Sequence, residues 1–359
     1  SSSCRPTRSR PIRDAVRDVI ERCNRATLVF DLAAIAANMR RVAAAARAAR
    51  ITPLFALKSF PHPQIVALAA ELLDGFDAAS IGEVATIPDG ALVSIVDPSG
   101  AAIAYAPATG RVIVGCETIE HVNAAPAQAD IAIRVSASIT GRDPGVGAIL
   151  DGTGHRRSRF GLETREAIEA LVRAASGRRV GLHVHHGPVT ATNAARFVET
   201  ARAAIGLAGF EPAFIDLGGA WHGIADVSAA FADIRAALSI PEILVEPGRL
   251  YADGAGFAVG RTRVIRDLGD RSLVVGDLSR ICHLRWSQVE LVARAPHPGE
   301  GRKHVLVGPT CYEEDVIGEW IVEPREVAER ALLRNVSGYA LAWNTSFGGV
   351  PPADVVMVE

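Results

Sequence analysis

The sequence lacks the features that mark several large classes of protein. Its formal net charge is −2 over 359 residues, whereas a nucleic-acid-binding protein needs a basic face for its phosphate contacts. No apolar run approaches the ~20 residues of a membrane-spanning helix. Neither a G-x-G-x-x-G fingerprint nor a P-loop occurs, so dinucleotide and nucleoside triphosphate sites are not indicated. We therefore expect a soluble protein without a nucleic-acid or membrane partner.

Cysteine is scarce and scattered, with five residues of which no two form a C-x-x-C pair. They are Cys4, Cys23, Cys116, Cys282 and Cys311. A disulfide scaffold and a zinc site are therefore not indicated, and a reducing, cytoplasmic setting is expected. His183, His185 and His186 resemble a metal cluster, but no acidic residue lies at a metal-binding spacing from them. No metal is predicted.

Lysine is almost absent, which draws attention to the places where it occurs. Among 38 lysines and arginines, Lys58 and Lys303 are the only lysines. Lys58 directly follows an apolar run over residues 53–57. Arginine stays protonated and cannot act as an amine nucleophile, whereas a desolvated lysine can. Lys58 is therefore a candidate nucleophile, and the alternative is a surface lysine whose stem lies along apolar groups.

Short β-rich runs alternate with longer runs of helical period from residue 27 onward. This alternation predicts parallel strands with crossover helices, and about eight such units suit an α/β fold of the (β/α)8 TIM-barrel type. The β-rich runs are 27–31, 53–57, 76–80, 91–96, 111–116, 131–135, 180–186, 213–218 and 242–246. After about residue 251, alternating Val-rich runs predict an antiparallel β domain. The predicted organisation is an arm over 1–26 that packs on the β domain, a barrel over 27–250, and the β domain over 251–359.

Polar residues and glycines follow many of the predicted barrel strands. In barrel enzymes the loops after the strands converge at one end and carry the chemistry. These positions combine a lysine, two glycines whose N–H groups could cradle a phosphate, and a Glu/Arg pair around a Pro-Gly corner. They are Lys58, Ser80, Arg134, His185, Gly218, Gly219, Glu246 and Arg249.

Seven short motifs occur in a fixed order along the chain. They are LFALK at 54–58, D-x-x-S-x-x-E at 77–83, SRFG at 158–161, GLHVHHG at 181–187, GG at 218–219, EPGR at 246–249 and GPTC at 308–311. In this order they resemble the fold type III pyridoxal-phosphate decarboxylases, which include diaminopimelate, ornithine/arginine and carboxynorspermidine decarboxylases. The resemblance covers nearly all of residues 27–359.

The resemblance implies pyridoxal 5'-phosphate-dependent decarboxylation of an amino acid or an amino-acid-derived carboxylate. It implies that Lys58 forms the Schiff base, that His185 stacks on the cofactor ring, and that Glu246 pairs with the ring nitrogen. The further cofactor contacts that it implies are Ser80, Gly218, Gly219, Arg249 and Tyr339.

The resemblance also implies a homodimer with shared active sites, because family members lend the loop that contains Cys311 to the neighbouring subunit. Cys311 would return a proton to the substrate carbon. Tyr312, Asp315 and Arg159 are implied to contact the substrate.

The sequence departs from the family pattern at four places. Ser59-Phe60 follows the lysine where Ala/Cys-Asn is usual, Pro188 replaces a serine, and Ala220 replaces a third glycine. Tyr312 stands where the family commonly has an acidic residue that grips the distal amine of the substrate. Lysine, ornithine and diaminopimelate are therefore less well supported as substrates. A role in polyamine or other natural-product biosynthesis is as well supported as one in primary metabolism.

Three alternatives to decarboxylation stay open from the sequence. A racemase or epimerase on the same scaffold is the first, although Glu246 favours decarboxylation because racemases of this fold place an arginine at the ring nitrogen. A non-catalytic pyridoxal-phosphate-binding protein is the second, and the β domain with Cys311 argues against it. The third is a phosphate-binding barrel without pyridoxal chemistry.

Overall fold

The computed structural model describes residues 11–141, 149–150, 156–185, 194–221, 224, 226–293 and 301–359. The chain divides into two compact units. Residues 39–250 form one, called here the barrel unit, and residues 1–38 together with 251–359 form the other, called the β unit. Among the described residues, no helix is long and apolar enough to cross a membrane.

Eight parallel strands close into a barrel in the barrel unit, which confirms the predicted fold class. Their order around the barrel follows their order in the chain. The strands are Thr52–Ala56, Gly75–Ala78, Leu92–Ile95, Val112–Cys116, Asp130–Val135, Val180–Val184, Phe214–Asp216 and Glu242–Val245. They are short apolar runs that are mostly buried, as expected of strands covered on both faces.

Helices follow most of the barrel strands. They are Pro63–Leu72, Ile81–Val84, Ile119–Ala124, Arg165–Ala174, Ala194–Ala208, Val227–Ala237 and Gly248–Tyr251. The helix Leu32–Ala49 precedes the first barrel strand, and its residues fall in both units. Side-chain caps fix where several of them begin. The Thr164 side chain accepts a hydrogen bond from the Ala167 N–H, and that of Asp226 accepts one from the Ala229 N–H.

The barrel start that the sequence predicted at residue 27 is wrong. The strand Thr27–Asp31 pairs with Gly256–Asp267 and Asp354–Val358, and it therefore belongs to the β unit. The physical reason is that all five of its residues are buried, so its sequence is as apolar as that of a barrel strand. Apolar content alone does not select the neighbour with which a strand pairs.

The β unit contains a mostly antiparallel sheet, which confirms the predicted antiparallel β domain. Its strands are Thr27–Asp31, Gly256–Asp267, Arg271–Gly276, Glu290–Leu291, Arg302–Val307, Val316–Val322, Arg330–Arg334 and Asp354–Val358. Two pairs are parallel, Thr27–Asp31 with Asp354–Val358 and Arg271–Gly276 with Arg302–Val307. Both pairs are separated by long connections, which parallel pairing requires.

The described part of the N-terminal arm forms the helix Asp14–Arg22. Its buried residues Val16 and Ile20 pack in one apolar cluster with Val29, Phe257 and Val259. The helix thus lies on the sheet of the β unit, where its apolar face is removed from water.

Candidate active site

Lys58 lies at the C-terminal end of a barrel strand beside two buried carboxyl groups. It is in a single turn, Leu57–Ser59, that directly follows the strand Thr52–Ala56. Its ammonium group donates a hydrogen bond to Asp77, whose side chain is fully buried on the neighbouring strand. The Lys58 Nζ also lies 3.9 Å from Oε2 of Glu246, which is 3% exposed. The structure therefore brings together the predicted residues Lys58 and Glu246. It adds Asp77, whose carboxylate pairs with the ammonium group of Lys58.

Two further buried groups, Asp216 and His183, surround Glu246. One ligand-type atom from each of the three lies within 4.8 Å of the other two. Burial raises the pKa of Asp216 to about 7. Burial, and the charges of Asp77 and Asp216, raise the pKa of Glu246 well above its ordinary value. Burial lowers the pKa of His183 well below its ordinary value, which keeps that imidazole neutral.

This cluster suits a ligand with a cationic N–H group. Three buried carboxyl groups, those of Asp77, Asp216 and Glu246, lie here, and Lys58 forms ion pairs with two of them, Asp77 and Glu246. Within the described residues, no donor reaches Oδ1 of Asp77, Oδ2 of Asp216 or Oε1 of Glu246. Buried acceptors without donors are energetically costly, so binding of a positively charged hydrogen-bond donor at this site would be favourable.

His185 packs against the corner formed by Gly218 and Gly219. A Cβ atom on Gly218 would lie 3.0 Å from Cδ2 of His185, and one on Gly219 would lie 3.5 Å from Nε2 of His185. Gly218 also has a positive φ of 63°, which favours glycine. The sequence-predicted ring and glycines are therefore in contact, and the two glycines leave a surface of backbone that a phosphate could approach.

Ala220, which replaces the third glycine of the family pattern, adopts a left-handed backbone with φ of 70°. A non-glycine residue in this region costs roughly 1 kcal/mol or more. The substitution therefore keeps the local backbone conformation at the expense of strain.

The structure places Ser80 and Arg249 at the starts of short helices. Ser80 is exposed, and its hydroxyl caps the helix Ile81–Val84 by accepting from the Glu83 N–H at 3.3 Å. The Glu83 carboxylate accepts from the Ala79 N–H at 2.7 Å. Arg249 is half-buried in Gly248–Tyr251. Ser80 thus has a capping role in this structure, beside any contact with a cofactor.

Arg134 and Arg159 both stack on the ring of Phe160. Their guanidinium carbons lie 4.3 and 4.0 Å from its centroid. Arg134 also pairs with Glu117 at 3.4 Å, whereas the Arg159 residue is exposed. Of the two, Arg159 is the one in reach of a solute. The predicted positions His186 and Pro188 lie outside the described residues.

The other predicted site residues lie in the β unit, Cys311, Tyr312 and Asp315 between the strands Arg302–Val307 and Val316–Val322, and Tyr339 in the short helix Tyr339–Ala342. Cys311 is an exposed free thiol, and Tyr312 is 50% exposed, with its ring centroid 5.1 Å from that of Phe347. Tyr339 contacts Trp286 edge to face at 5.1 Å. Cys311 and the aromatic pair of Tyr312 and Phe347 are thus accessible to solvent, whereas Tyr339 is half-buried.

Asp315, predicted to contact the substrate, is buried within the β unit. It is 2% exposed. Oδ1 accepts from the Ser279 hydroxyl at 2.9 Å and the Arg280 N–H at 2.6 Å, and Oδ2 accepts from the Thr310 hydroxyl at 2.7 Å. Because a carboxylate oxygen accepts about two hydrogen bonds, Asp315 holds the Cys311 loop in place and has little capacity left for a substrate.

Sequence reasoning did not select Asp77 or Asp216 as site residues. Both lie inside recognised motifs, the D-x-x-S-x-x-E segment and the residues before Gly218-Gly219. A carboxylate within an otherwise apolar barrel strand was the available signal, because an isolated charge is rarely buried without a partner.

Comparison with known proteins identifies the barrel unit. A family model described as the pyridoxal binding domain of the pyridoxal-dependent decarboxylases matches residues 32–253. The diaminopimelate decarboxylase of Aquifex aeolicus (strain VF5) is 25% identical over 255 residues, which are 65% of this chain and 60% of that protein. The chain thus matches less than two thirds of the length of that relative.

Solved structures share the fold over almost the whole chain. The lysine/ornithine decarboxylase from Vibrio vulnificus complexed with cadaverine superposes with a TM-score of 0.75 and 22% identity, covering 96% of this chain and 97% of that one. The Paramecium bursaria Chlorella virus arginine decarboxylase gives a TM-score of 0.77 and 18% identity, covering 96% and 99%. At these identities the likeness establishes the fold.

The family match covers more than half of the chain and includes the strands that present Lys58, His185 and Glu246. The resemblance first seen in the sequence motifs is thereby confirmed, together with pyridoxal phosphate as the cofactor of this kind of barrel. The chain belongs to the family of pyridoxal-dependent decarboxylases, which are carboxy-lyases.

Proposed function

We propose that this protein decarboxylates an amino acid or an amino-acid-derived carboxylate, and that Lys58 binds pyridoxal phosphate covalently. The observation that carries the proposal is the position of Lys58 at the end of a barrel strand, hydrogen-bonded to buried Asp77 and 3.9 Å from Glu246. A lysine amine forms an imine with an aldehyde, and a fixed carboxylate beside it holds the amine in one place. When bound, the cofactor would supply the electron sink for loss of CO2.

The surrounding residues fit the remaining parts of the cofactor. Glu246 offers a buried carboxylate to the ring nitrogen, and such a neighbour favours the protonated, cationic form of that nitrogen. His185 offers the face of an imidazole, and Gly218 and Gly219 offer backbone N–H groups to the phosphate. Arg249 and Tyr339 are the proposed charged and hydroxyl partners of the phosphate. A carboxylate at the ring nitrogen supports decarboxylation over racemisation.

Cys311 is the proposed donor of the proton that replaces CO2 on the substrate carbon. Its thiol is exposed at the tip of a loop that Asp315 anchors, and exposure of this kind suits a group that must reach a substrate. We further propose that the loop serves the active site of a neighbouring copy, which makes the protein a homodimer with two shared sites.

The neutral side chain of Tyr312 supports a substrate whose distal end is uncharged. Its ring and that of Phe347 form an exposed aromatic pair. An aromatic pair binds apolar groups by burial and contact, whereas a distal ammonium group would call for a carboxylate.

The first experiment is visible absorbance of the purified protein with pyridoxal phosphate, comparing wild type with Lys58→Ala, before and after borohydride. An imine band in wild type only, with the reduced label on the Lys58 peptide, is the expected result. Lys303→Ala is the matched control, because Lys303 pairs with Glu319 in the β unit at 3.0 Å. Labelling of Lys303 instead of Lys58, or no band in either protein, would refute the assignment.

Amino acids are then screened for CO2 release in deuterated water. Release of CO2 with one deuterium on the product carbon supports decarboxylation. A racemised amino acid that keeps its carboxylate would instead support the racemase alternative.

A further inference from the structure

The ends of the barrel strands Phe214–Asp216 and Glu242–Val245 are connected through hydrogen bonds of the Gly218 backbone. The Glu246 N–H donates to the Gly218 carbonyl at 2.9 Å. The Gly218 N–H donates to Oδ1 of Asp216 at 2.8 Å. Asp216 therefore supports the glycine corner with one oxygen, and its second oxygen is available for another contact.

The carboxyl groups of Asp216 and Glu246 are buried close together. Within the part of the chain that the structure describes, Oδ2 of Asp216 and Oε1 of Glu246 have no donor. The two side chains are 1% and 3% exposed, and an oxygen of one lies within 4.8 Å of an oxygen of the other. Two ionised carboxylates at this separation would repel strongly in a dry site, whereas one shared proton turns the repulsion into a hydrogen bond.

The other charged and titratable groups around the pair are consistent with one retained proton. Asp77, on the strand Gly75–Ala78, adds negative charge, and Lys58 adds positive charge from the adjacent turn. Arg134, on the strand Asp130–Val135, is paired with Glu117. His183 is neutral, because burial lowers its pKa well below the ordinary value, and its Nε2 lies 3.8 Å from Oε1 of Glu246. Burial raises the pKa of Asp216 to about 7, and burial together with the charges of Asp77 and Asp216 raises the pKa of Glu246 well above its ordinary value, so the pair retains a proton. A cationic ring nitrogen beside Glu246 would favour the ionised form of Glu246 and leave that proton on Asp216.

We infer that Asp216 keeps its proton when the cofactor is bound and donates it through Oδ2 to Glu246. Asp216 is then a positioning residue. It leaves Glu246 as the ionised carboxylate for the cationic ring nitrogen, and it closes a ring of three hydrogen bonds through Gly218. The orientation of the ring partner and the shape of the glycine corner are thereby fixed by one side chain. This inference rests on the proposed function, since Glu246 is there the partner of the ring nitrogen.

The inference separates two substitutions of the same residue. In Asp216→Asn, the amide oxygen can still accept from the Gly218 N–H, and the amide N–H can replace the proton donated to Glu246. In Asp216→Ala, both contacts are lost, and buried groups are left without partners. We expect Asp216→Asn to retain pyridoxal phosphate affinity within about threefold and Asp216→Ala to lose at least about tenfold.

The proton itself is tested by difference infrared spectroscopy at neutral pH, which distinguishes a protonated carboxyl group from a carboxylate. The cofactor-loaded wild type should show a protonated-carboxyl band that shifts in deuterated water and is absent from Asp216→Asn. Asp74→Asn is the control, because Asp74 is a partly exposed carboxylate paired with Arg47 at 3.5 Å. That control should keep the band.

A cofactor-loaded wild type without the band, a band that persists in Asp216→Asn, or equal affinity losses in the two variants would overturn the inference. Failure of the protein to bind pyridoxal phosphate would refute the proposed function instead. In that case the cofactor-free spectrum still decides the proton question. A band in wild type that is absent from the Asp216→Asn/Glu246→Gln double variant supports the shared proton, and no band in wild type refutes it.

Discussion

Replacing Glu242 by glutamine should destabilise the barrel unit measurably, although Glu242 is far along the chain from most of its partners. Glu242 begins a barrel strand and accepts hydrogen bonds from Arg111 at 2.7 and 2.9 Å and from Arg179 at 2.8 Å. Both arginines also pair with Asp130. All four residues lie at the N-terminal ends of barrel strands, and both guanidinium groups lie within 6 Å of the ring centroid of Phe214.

The magnitude follows from the number and exposure of these contacts. Glutamine keeps the shape of Glu242, but only one of its two terminal atoms can accept a hydrogen bond, so at least one of the three bonds from the arginines is lost and the others no longer join opposite charges. Each such change costs roughly 1 kcal/mol in a buried setting. The side chains of Glu242 and Arg111 are 21% and 36% exposed, so solvent screening lowers the total. We expect a loss of about 2 kcal/mol, or a melting temperature lower by about 5 °C.

The effect should also depend on pH with a definite sign. Burial acts to raise the pKa of Glu242, but the hydrogen bonds and charges of Arg111 and Arg179 outweigh burial and hold the pKa below its ordinary 4.5. A carboxylate with a lowered pKa stabilises the fold above the unfolded-state value and loses that contribution as the pH falls through the folded-state value. The gap between wild type and Glu242→Gln should therefore be full near pH 7 and close in acid below about pH 4.

Urea unfolding followed by circular dichroism at helix-sensitive wavelengths reports on this unit, because most of the helices follow barrel strands. Glu169→Gln is the matched control, since Glu169 makes a 3.8 Å pair with Arg173 on an exposed helix face. It should cost less than about 0.5 kcal/mol. Equal losses in the two variants, or a gap that stays constant in acid, would refute the reasoning.

Three further predictions concern the loop of the β unit. Cys311→Ala should slow turnover roughly a hundredfold while the imine band of the cofactor is retained; loss of that band would contradict the assigned role. Tyr312→Glu should raise kcat/KM for amino acids with a distal amine relative to those without one, as measured on a substrate panel, and an unchanged ratio would contradict the proposed selectivity. Asp315→Ala should increase the rate of iodoacetamide labelling at Cys311 several-fold by freeing Thr310 and Ser279, whereas Asp315→Asn should change it less.

The barrel strands could be predicted because each is a short apolar run bounded by loop residues. The predicted run 27–31 is equally apolar, but it pairs with strands of the β unit. Its apolar composition indicates that the strand is buried and does not indicate which strands lie beside it. In the β domain the alternating Val-rich runs are 257–264, 271–275, 288–292, 303–307 and 355–358, and none of them covers the strands Val316–Val322 and Arg330–Arg334. In Val316–Val322 no residue is buried, and Gly318 and Glu319 interrupt the apolar pattern. A half-exposed strand of this kind leaves a weak periodic signal.

Some residues of the candidate site could be predicted from their own stretch of sequence, whereas others are brought into the site only by the pairing of strands. Lys58 and Glu246 could be selected because each follows a strand, and the ends of parallel strands meet at one end of a barrel. The hydrogen bond from Lys58 to Asp77 and the contact between Asp216 and Glu246 depend on the register of neighbouring strands. Register is a property of pairing, so no single strand sequence contains it.

Asp315 shows why position within a motif is not sufficient to assign a contact. Cys311, Tyr312 and Asp315 lie within five consecutive residues and were all predicted to take part in the site, yet Cys311 and Tyr312 are exposed and Asp315 is buried. The Asp315 oxygens accept hydrogen bonds from Ser279, Arg280 and Thr310. Because these donors already compensate the buried charge, Asp315 has little left to offer a substrate amine. The polarity that this loop presents to solvent is therefore set by its exposed residues, among them the neutral Tyr312.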